Sequence, residues 1–290
     1  MNGARLGVGA QSVGLAEAAY REAYQYAQER EQFGKAIINF PQVYEMLNNM
    51  RAKTDAIRTL LYETARFVDV YKAYEAIARE RSLTAEERTD LKYHQRNADI
   101  FTPMLKLFSS EYANQVAYDS IQVHGGSGFM KEYACERLYR DARILTIYEG
   151  TSQLQVVAAI RGIGNGSYLK RIEEYDAMPL KPEFEGLRSK LRAMTEEYKK
   201  IFEVVSAYGS TSEMYDFHAR RMVESMGYIV MGYLLLQDAN RCDRFKRSCE
   251  IMIAIGQGEI AKNLAYVQNF TSDMLSEYKM TTEKECCSNE

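Results

Sequence analysis

The spacing of apolar residues constrains this chain more than any other feature. After Phe40-Pro41 they fall at Val43, Met46, Leu47, Met50, Ile57, Leu60, Leu61, Phe67, Val68 and Tyr71. Steps of three and four put these side chains on one face of a long helix, with Pro41 tolerated in its first turn. The same spacing returns far downstream at Leu264, Val267, Phe270, Met274 and Tyr278. No segment alternates apolar and polar residues as a half-buried strand does. Only four prolines interrupt 290 residues, and 14 Met and 22 Tyr suit long packed helices.

The stretch from Ala4 to Gln28 is rich in Ala, Glu and Tyr and also reads as helix, despite early glycines. Thr84 and Glu87 form a T-x-x-E capping box that starts a third helix. Thr102-Pro103 is expected to break or kink it, with a further helix from Pro103 to about Ser120. Residues 72 to 97 look like an insertion between two helices. Residues 121 to 151 differ in character: "QVHGGSGF", a short helical stretch, then "LTIYEGTSQLQ". There Ser152 and Gln155 resemble an S-x-x-Q capping pair, predicting a helix to about Arg161 that glycines 162, 164 and 166 end. A short helix then leads to "AMPLKPEFEG", where Pro179 and Pro182 mark a linker. Helical spacing resumes over residues 184 to 280, and "TTEKECCSNE" is expected to be a disordered tail. The expected fold class is all-α, with an up-and-down helical bundle over residues 1–177 and a second, smaller helical unit over residues 178–290.

Composition removes several function classes. A net charge of -3 gives no general attraction to nucleic acid or to an anionic membrane. No apolar run approaches the length of a bilayer span, and the N-terminus has no signal-peptide pattern, so a cytoplasmic location is expected. Cys135, Cys242, Cys249, Cys286 and Cys287 lack paired CxxC spacing and read as reduced thiols. His94, His124 and His218 are too scattered to suggest a metal site.

Taken singly, the motifs are bland. Glu149 in "YEGTSQ" reads as a carboxylate at the positive end of the next helix. "GGSGF" reads as a turn, "EREQFGK" as a glycine-capped helix end with solvated charges, and Arg5 as a surface arginine.

Their order is more specific. Arg30 to Lys35 (REQFGK), Gln122 to Gly126 (QVHGG) and Tyr148 to Gln153 (YEGTSQ) resemble the carboxy-terminal helical domain of the acyl-CoA dehydrogenases. "ARLGVGAQSVGLAEAAYREAYQYAQEREQFGK" is similar to that domain's first helix, and the resemblance covers roughly residues 1 to 165.

The resemblance implies flavin chemistry on an acyl-CoA thioester, with FAD as cofactor. Glu149 matches the glutamate that removes a proton from the carbon beside the thioester carbonyl. A hydride passes from the next carbon to FAD, leaving a trans-2-enoyl-CoA. A glutamate strong enough for that task needs burial to raise its pKa, and donors to polarise the carbonyl, among them its own backbone N–H. Arg30 matches an arginine pairing with the FAD pyrophosphate, and Gln32 and Phe33 line the same nucleotide. Gln122, Val123, His124, Gly125 and Gly126 match a loop passing close to its adenosine half. Thr151 and Gln153 match flavin contacts at a helix N-terminus. On the substrate side, Arg5 matches an arginine near the acyl pocket, Gly150 leaves room for the thioester, and Tyr148 is an aromatic wall. In the family the Arg30-type and Gly-Gly contacts reach the FAD of a neighbouring subunit, which implies a homodimer or a dimer of dimers. An electron-transfer flavoprotein is the implied acceptor.

The chain departs from the family pattern in three places. The family's amino-terminal helical domain and β-domain have no counterpart here, so the chain is expected to be a fragment that is colourless alone and oligomerises through its first bundle. A flavin-contacting Gln usually follows the Arg30-type residue by eleven positions, where this chain has Pro41, with Gln42 next to it. The helical unit from about residue 178 resembles an extension found in longer members. Two other readings stay open: a helical oligomerisation and nucleotide-contact module without catalysis, and a flavoenzyme resembling the acyl-CoA oxidases.

Overall fold

A computed structural model describes the backbone of residues 2–284 and the side chains of residues 3–279. Among them the apolar periodicity becomes ten α-helices. The first three are α1 (Asn2–Glu29), α2 (Pro41–Glu80) and α3 (Ala85–His124). Three shorter ones follow: α4 (Ala134–Ala142), α5 (Ser152–Gly164) and α6 (Ser167–Asp176). Then come α7 (Glu185–Ser206), α8 (Glu213–Arg241), α9 (Lys246–Asn269) and α10 (Ser272–Lys284).

Helices α1, α2 and α3 pack on one another. On α1 the contact stripe is Ala16, Ala19, Ala23 and Ala27, all fully buried, so α3 can approach its backbone closely. On α2 the predicted face is the buried one: Leu47, Met50, Ile57, Leu60, Phe67 and Val68 are all core residues. Helix α8 is apolar nearly all round. Met222, Val223, Met226, Ile229, Val230, Met231 and Leu235 are completely buried, as expected of a helix enclosed by neighbours. It packs with α7 and α9, and α8 and α9 also lie against α2.

The two groups of helices are joined by polar as well as apolar contacts. Arg220 of α8 pairs with Glu111 of α3 at 2.6 Å, and Ser248 of α9 donates to Asp55 of α2 at 2.8 Å. A β-carbon at Gly227 would overlap the Phe108 ring, so α8 can seat on α3 only where it lacks a side chain. The segment holding Pro179 and Pro182 is pinned rather than loose. Asn240 accepts from the Lys181 N–H at 2.9 Å and donates to the Pro179 carbonyl at 3.1 Å.

Several local expectations are corrected. Pro103 does not break a helix, and α3 continues through it to His124. The carbonyl that Pro103 leaves unserved belongs to Asp99, an exposed residue that water can reach. Residues 72–97 form no separate element; they are the end of α2 and the start of α3, whose connection carries the capping box, with Glu87 N–H donating to Thr84 Oγ1 at 3.1 Å and Thr84 N–H to Glu87 at 2.8 Å. Thr151, not Ser152, caps α5, by accepting from the Leu154 N–H at 3.5 Å. Gly162 lies within α5, which ends at Gly164 with Asn165 as its cap. Gly34 caps no helix. It completes a tight turn with Phe33, φ 51° and 81°, in a two-stranded ribbon, β1 (Glu31–Gln32) and β2 (Lys35–Ala36). Cys286 and Cys287, with the end of the proposed tail, lie outside the described residues.

Candidate active site

The first cluster forms where the end of α1, the β-ribbon and the end of α3 meet. Arg30, Gln32, Phe33, Gln122, Val123, His124, Gly125 and Gly126 line one hollow of about 580 Å³. Gln42 lines it too, one position beyond the place the sequence pattern singled out. Its floor is aromatic: Tyr26 stacks on His124 at 4.3 Å between ring centroids, and Tyr133 meets both rings edge-on. His124 is 4% exposed, and its Nδ1 lies 2.7 Å from the Ser120 carbonyl, so the ring is a fixed wall. Tyr26 was not legible as a site residue, because a tyrosine on a helix reads as ordinary packing.

The glycines of this loop differ from one another. Gly125 has φ +60° and ψ −140°, a conformation that a side chain would strain. At Gly125 and Gly126 a β-carbon would meet nothing within 4 Å, whereas one at Gly128 would lie 2.7 Å from the Ile121 carbonyl. Gly128 is therefore needed for internal packing, and the open side of Gly125-Gly126 is not. Phe33 stands 93% exposed at the rim. An open glycine edge, a guanidinium and an unburied ring together suit an extended nucleotide whose phosphates Arg30 would hold.

The second cluster is the turn before α5. Glu149 has φ +54° and Gly150 φ +95°. A left-handed backbone at a non-glycine residue costs roughly 1 kcal/mol, and here buried donors stabilise it. The Nζ of Lys106, a fully buried lysine of α3, donates to the Gly150 carbonyl at 2.7 Å. The Nε2 of Gln155, also fully buried, donates to the same oxygen at 2.9 Å and to the Glu149 carbonyl at 3.3 Å. A β-carbon at Gly150 would sit 2.9 Å from Gln155 Nε2 and 3.7 Å from Arg5 Nη2, so a side chain there has neither the backbone nor the space. Tyr148 is half-buried and its hydroxyl donates to Gln11 Oε1 of α1. The Glu149 side chain points outward and is exposed, as is Gln153. Burial of the carboxylate, which the family chemistry requires, is thus not provided by the described residues.

The fold brings Arg5 to the Glu149-Gly150 turn, but Glu149 does not line the hollow that holds Arg30 and Gly125-Gly126. On its other side Arg5 lines a second hollow of about 640 Å³ with Lys92, Gln95, Arg96, Asp99 and Arg161. Lys106, Gln155 and this basic lining were missed in the sequence. A lysine in an apolar stretch carries no local mark of what its amine will reach.

Two family profiles divide the chain between them. The acyl-CoA dehydrogenase C-terminal domain matches residues 1–164, and a further profile described as acyl-CoA dehydrogenase C terminal matches residues 164–275. The chain belongs to the acyl-CoA dehydrogenase family.

Among curated relatives, the caffeyl-CoA reductase-Etf complex subunit CarC of Acetobacterium woodii is 39% identical over 151 residues, which is 52% of this chain and 34% of that one. The NADH-dependent acryloyl-CoA reductase of Anaerotignum propionicum is 38% identical over 163 residues, 56% of this chain and 35% of that one. The butyryl-CoA dehydrogenase of Syntrophomonas wolfei is 28% identical over 253 residues, 81% of this chain and 40% of that one. The matched part is thus 34% to 40% of these relatives' own length. An acyl-CoA dehydrogenase from Bacillus anthracis, solved with FAD, superposes with a TM-score of 0.68 and 25% identity over 98% of this chain and 51% of that one. Caenorhabditis elegans ACDH-11 shares the fold, with a TM-score of 0.72 and 22% identity over 87% of this chain and 42% of that one. The all-α fold is therefore that of the family's C-terminal domain, and among the described residues no helix is long and apolar enough to cross a membrane.

Proposed function

We propose that the chain supplies the base and part of the nucleotide site of an FAD-dependent acyl-CoA dehydrogenase. The observation that carries this reading is the Glu149-Gly150 turn. Two buried donors hold its carbonyls inward, the Glu149 side chain is exposed, and Arg5 reaches the turn at Gly150. A reactive group presented in a strained but pinned turn is what proton abstraction from a bound substrate needs.

In the reaction proposed, the Glu149 carboxylate accepts the proton from the carbon beside the thioester carbonyl. Tyr148, fixed by Gln11, walls the site, while the side of Gly150 that lacks a side chain faces Gln155 and is not left open to the thioester. FAD, when bound, supplies the hydride acceptor for the adjacent carbon. Arg30, Gln32, Phe33 and the 122–126 loop would hold its nucleotide half, and Thr151 and Gln153 its flavin side. Glu149 stands outside the Arg30 hollow, and in a homodimer or dimer of dimers one FAD would draw on the Arg30 hollow of one copy and the Glu149 turn of the other. The positively charged hollow beside Arg5 suits the anionic part of the acyl-CoA. An electron-transfer flavoprotein is the proposed acceptor, a reading supported by the name of the Acetobacterium relative. We place the division between the two helical units near residue 177 and the protein in the cytoplasm.

A second reading has a specific observation behind it: two of these relatives are named reductases. In that direction Glu149 would deliver the proton to the same carbon of an enoyl-CoA. Anaerobic addition of an acyl-CoA to the FAD-loaded protein tests the first reading. Bleaching of the flavin supports it. Bleaching by no saturated thioester, with recolouring of pre-reduced flavin by an enoyl-CoA, would favour the reductase.

A further inference from the structure

Lys106 has no part in the family chemistry described above, yet its placement is hard to account for otherwise. It sits midway along α3, fully buried, where an aliphatic side chain would fill the space without losing the hydration of an ammonium. Its Nζ reaches a backbone oxygen, that of Gly150, at 2.7 Å. The turn it reaches is the strained one, and the strain falls on Glu149 itself. Gln155 backs the same oxygen and the carbonyl before it. Buried donors on the Glu149 and Gly150 carbonyls fix the stretch of backbone that carries the Glu149 side chain.

We propose that Lys106 is the positioning residue for the Glu149 carboxylate, its ammonium locking the Glu149-Gly150 turn through the Gly150 oxygen. The inference rests on Glu149 being the base. A structural core lysine would stabilise the fold; this one is placed at some cost to it and is spent on the geometry of a single turn. The charged groups facing Lys106 are Arg5 of α1, Glu111 of α3 and Glu149 of the turn, with Glu111 already engaged by Arg220 of α8 at 2.6 Å. Burial, then Arg5, pushes the ammonium down to about 8, against the opposing carboxylates. The contact therefore changes its protonation inside an accessible pH range.

Two measurements test this. In the 290-residue chain, the Thr151 amide shares a peptide group with the Gly150 carbonyl, so its NMR shift follows hydrogen bonding at that oxygen. The wild type should show an inflection near pH 8; Lys106→Met should be flat, and Lys106→Arg should be flat but close to the low-pH wild-type position. In FAD-loaded protein, Lys106→Met should slow acyl-CoA bleaching at least tenfold with thioester affinity changed less than twofold. Lys106→Arg should recover most of the rate. A wild-type Thr151 shift that does not titrate overturns the proposal even if Lys106→Met fails to fold. So does a Lys106→Met bleaching rate within twofold of wild type where Glu149→Gln is inactive. Normal bleaching by Glu149→Gln is a separate result: it removes the base itself, and with it the proposal's purpose, whatever Thr151 does.

Discussion

Ser248 of α9 donates a 2.8 Å hydrogen bond to Asp55 of α2, across 193 residues of sequence. Asp55 is 1% exposed and also accepts from Arg51 at 3.1 Å and Arg58 at 3.2 Å. One buried carboxylate thus gathers two arginines of its own helix and the hydroxyl of a helix from the second unit. Asp55→Ala removes its hydrogen bonds to Arg51, Arg58 and Ser248 but leaves both arginines beside Glu17, and should cost about 2–3 kcal/mol. Ser248→Ala removes one hydrogen bond and should cost about 1 kcal/mol. Urea unfolding measures both, and equal losses would contradict the arrangement.

Lys106 makes stability depend on alkaline pH. Its folded-state pKa of about 8 lies below the ordinary lysine value of 10.5. Between those values the unfolded chain binds the extra proton, so stability rises with pH. Relative to Lys106→Met, the wild type should gain about 2 kcal/mol between pH 7 and pH 9.5, at 1.36 kcal/mol per pKa unit. Parallel stability profiles for the two proteins would rule this out.

His218 gives the opposite end of the range. It is 1% exposed, packed edge-on against Phe217, Tyr266 and Phe270, and burial pushes its pKa down to about 4. The folded chain keeps the ring neutral while the unfolded chain protonates near the ordinary value of 6.5, so stability falls as pH drops from there towards 4. The loss should approach about 3 kcal/mol and be absent in His218→Gln. Thermal melts of both proteins between pH 4 and pH 7 provide the comparison.

The fold was largely readable because helical periodicity is a local property. Val43 to Tyr71 named the buried face of α2, and Thr84 with Glu87 named the start of α3. Tertiary packing decided the rest. Pro103 looked like a break, but its missing hydrogen bond falls at Asp99, an exposed residue, and its neighbours Phe101 and Met104 are locked in the core. Gly162 looked like a helix end but sits within α5, where a β-carbon would press on Tyr168 and Ile100. Within the site, Glu149, Arg30 and Gly125-Gly126 were legible through motif order. Lys106 and Gln155 were not, since their partners are backbone atoms 44 and 5 residues away.

Gly126 separates binding from folding. A β-carbon there meets nothing within 4 Å, so Gly126→Val should change stability by less than about 0.5 kcal/mol. The added side chain intrudes on the hollow beside Arg30 and should weaken FAD affinity at least tenfold. Fluorescence titration with FAD, run beside a urea melt, reads both quantities. A large stability loss with unchanged affinity would mean the open glycine edge serves packing.

Glu149 is the residue on which the functional account turns, and Glu149→Gln the most direct examination of it. The substitution keeps the size of the side chain and touches none of the donors holding the turn. The FAD-loaded variant should retain its flavin and its thioester affinity, while its anaerobic bleaching by acyl-CoA slows by about 10²–10⁴-fold. Bleaching at the wild-type rate would place the base on some other residue.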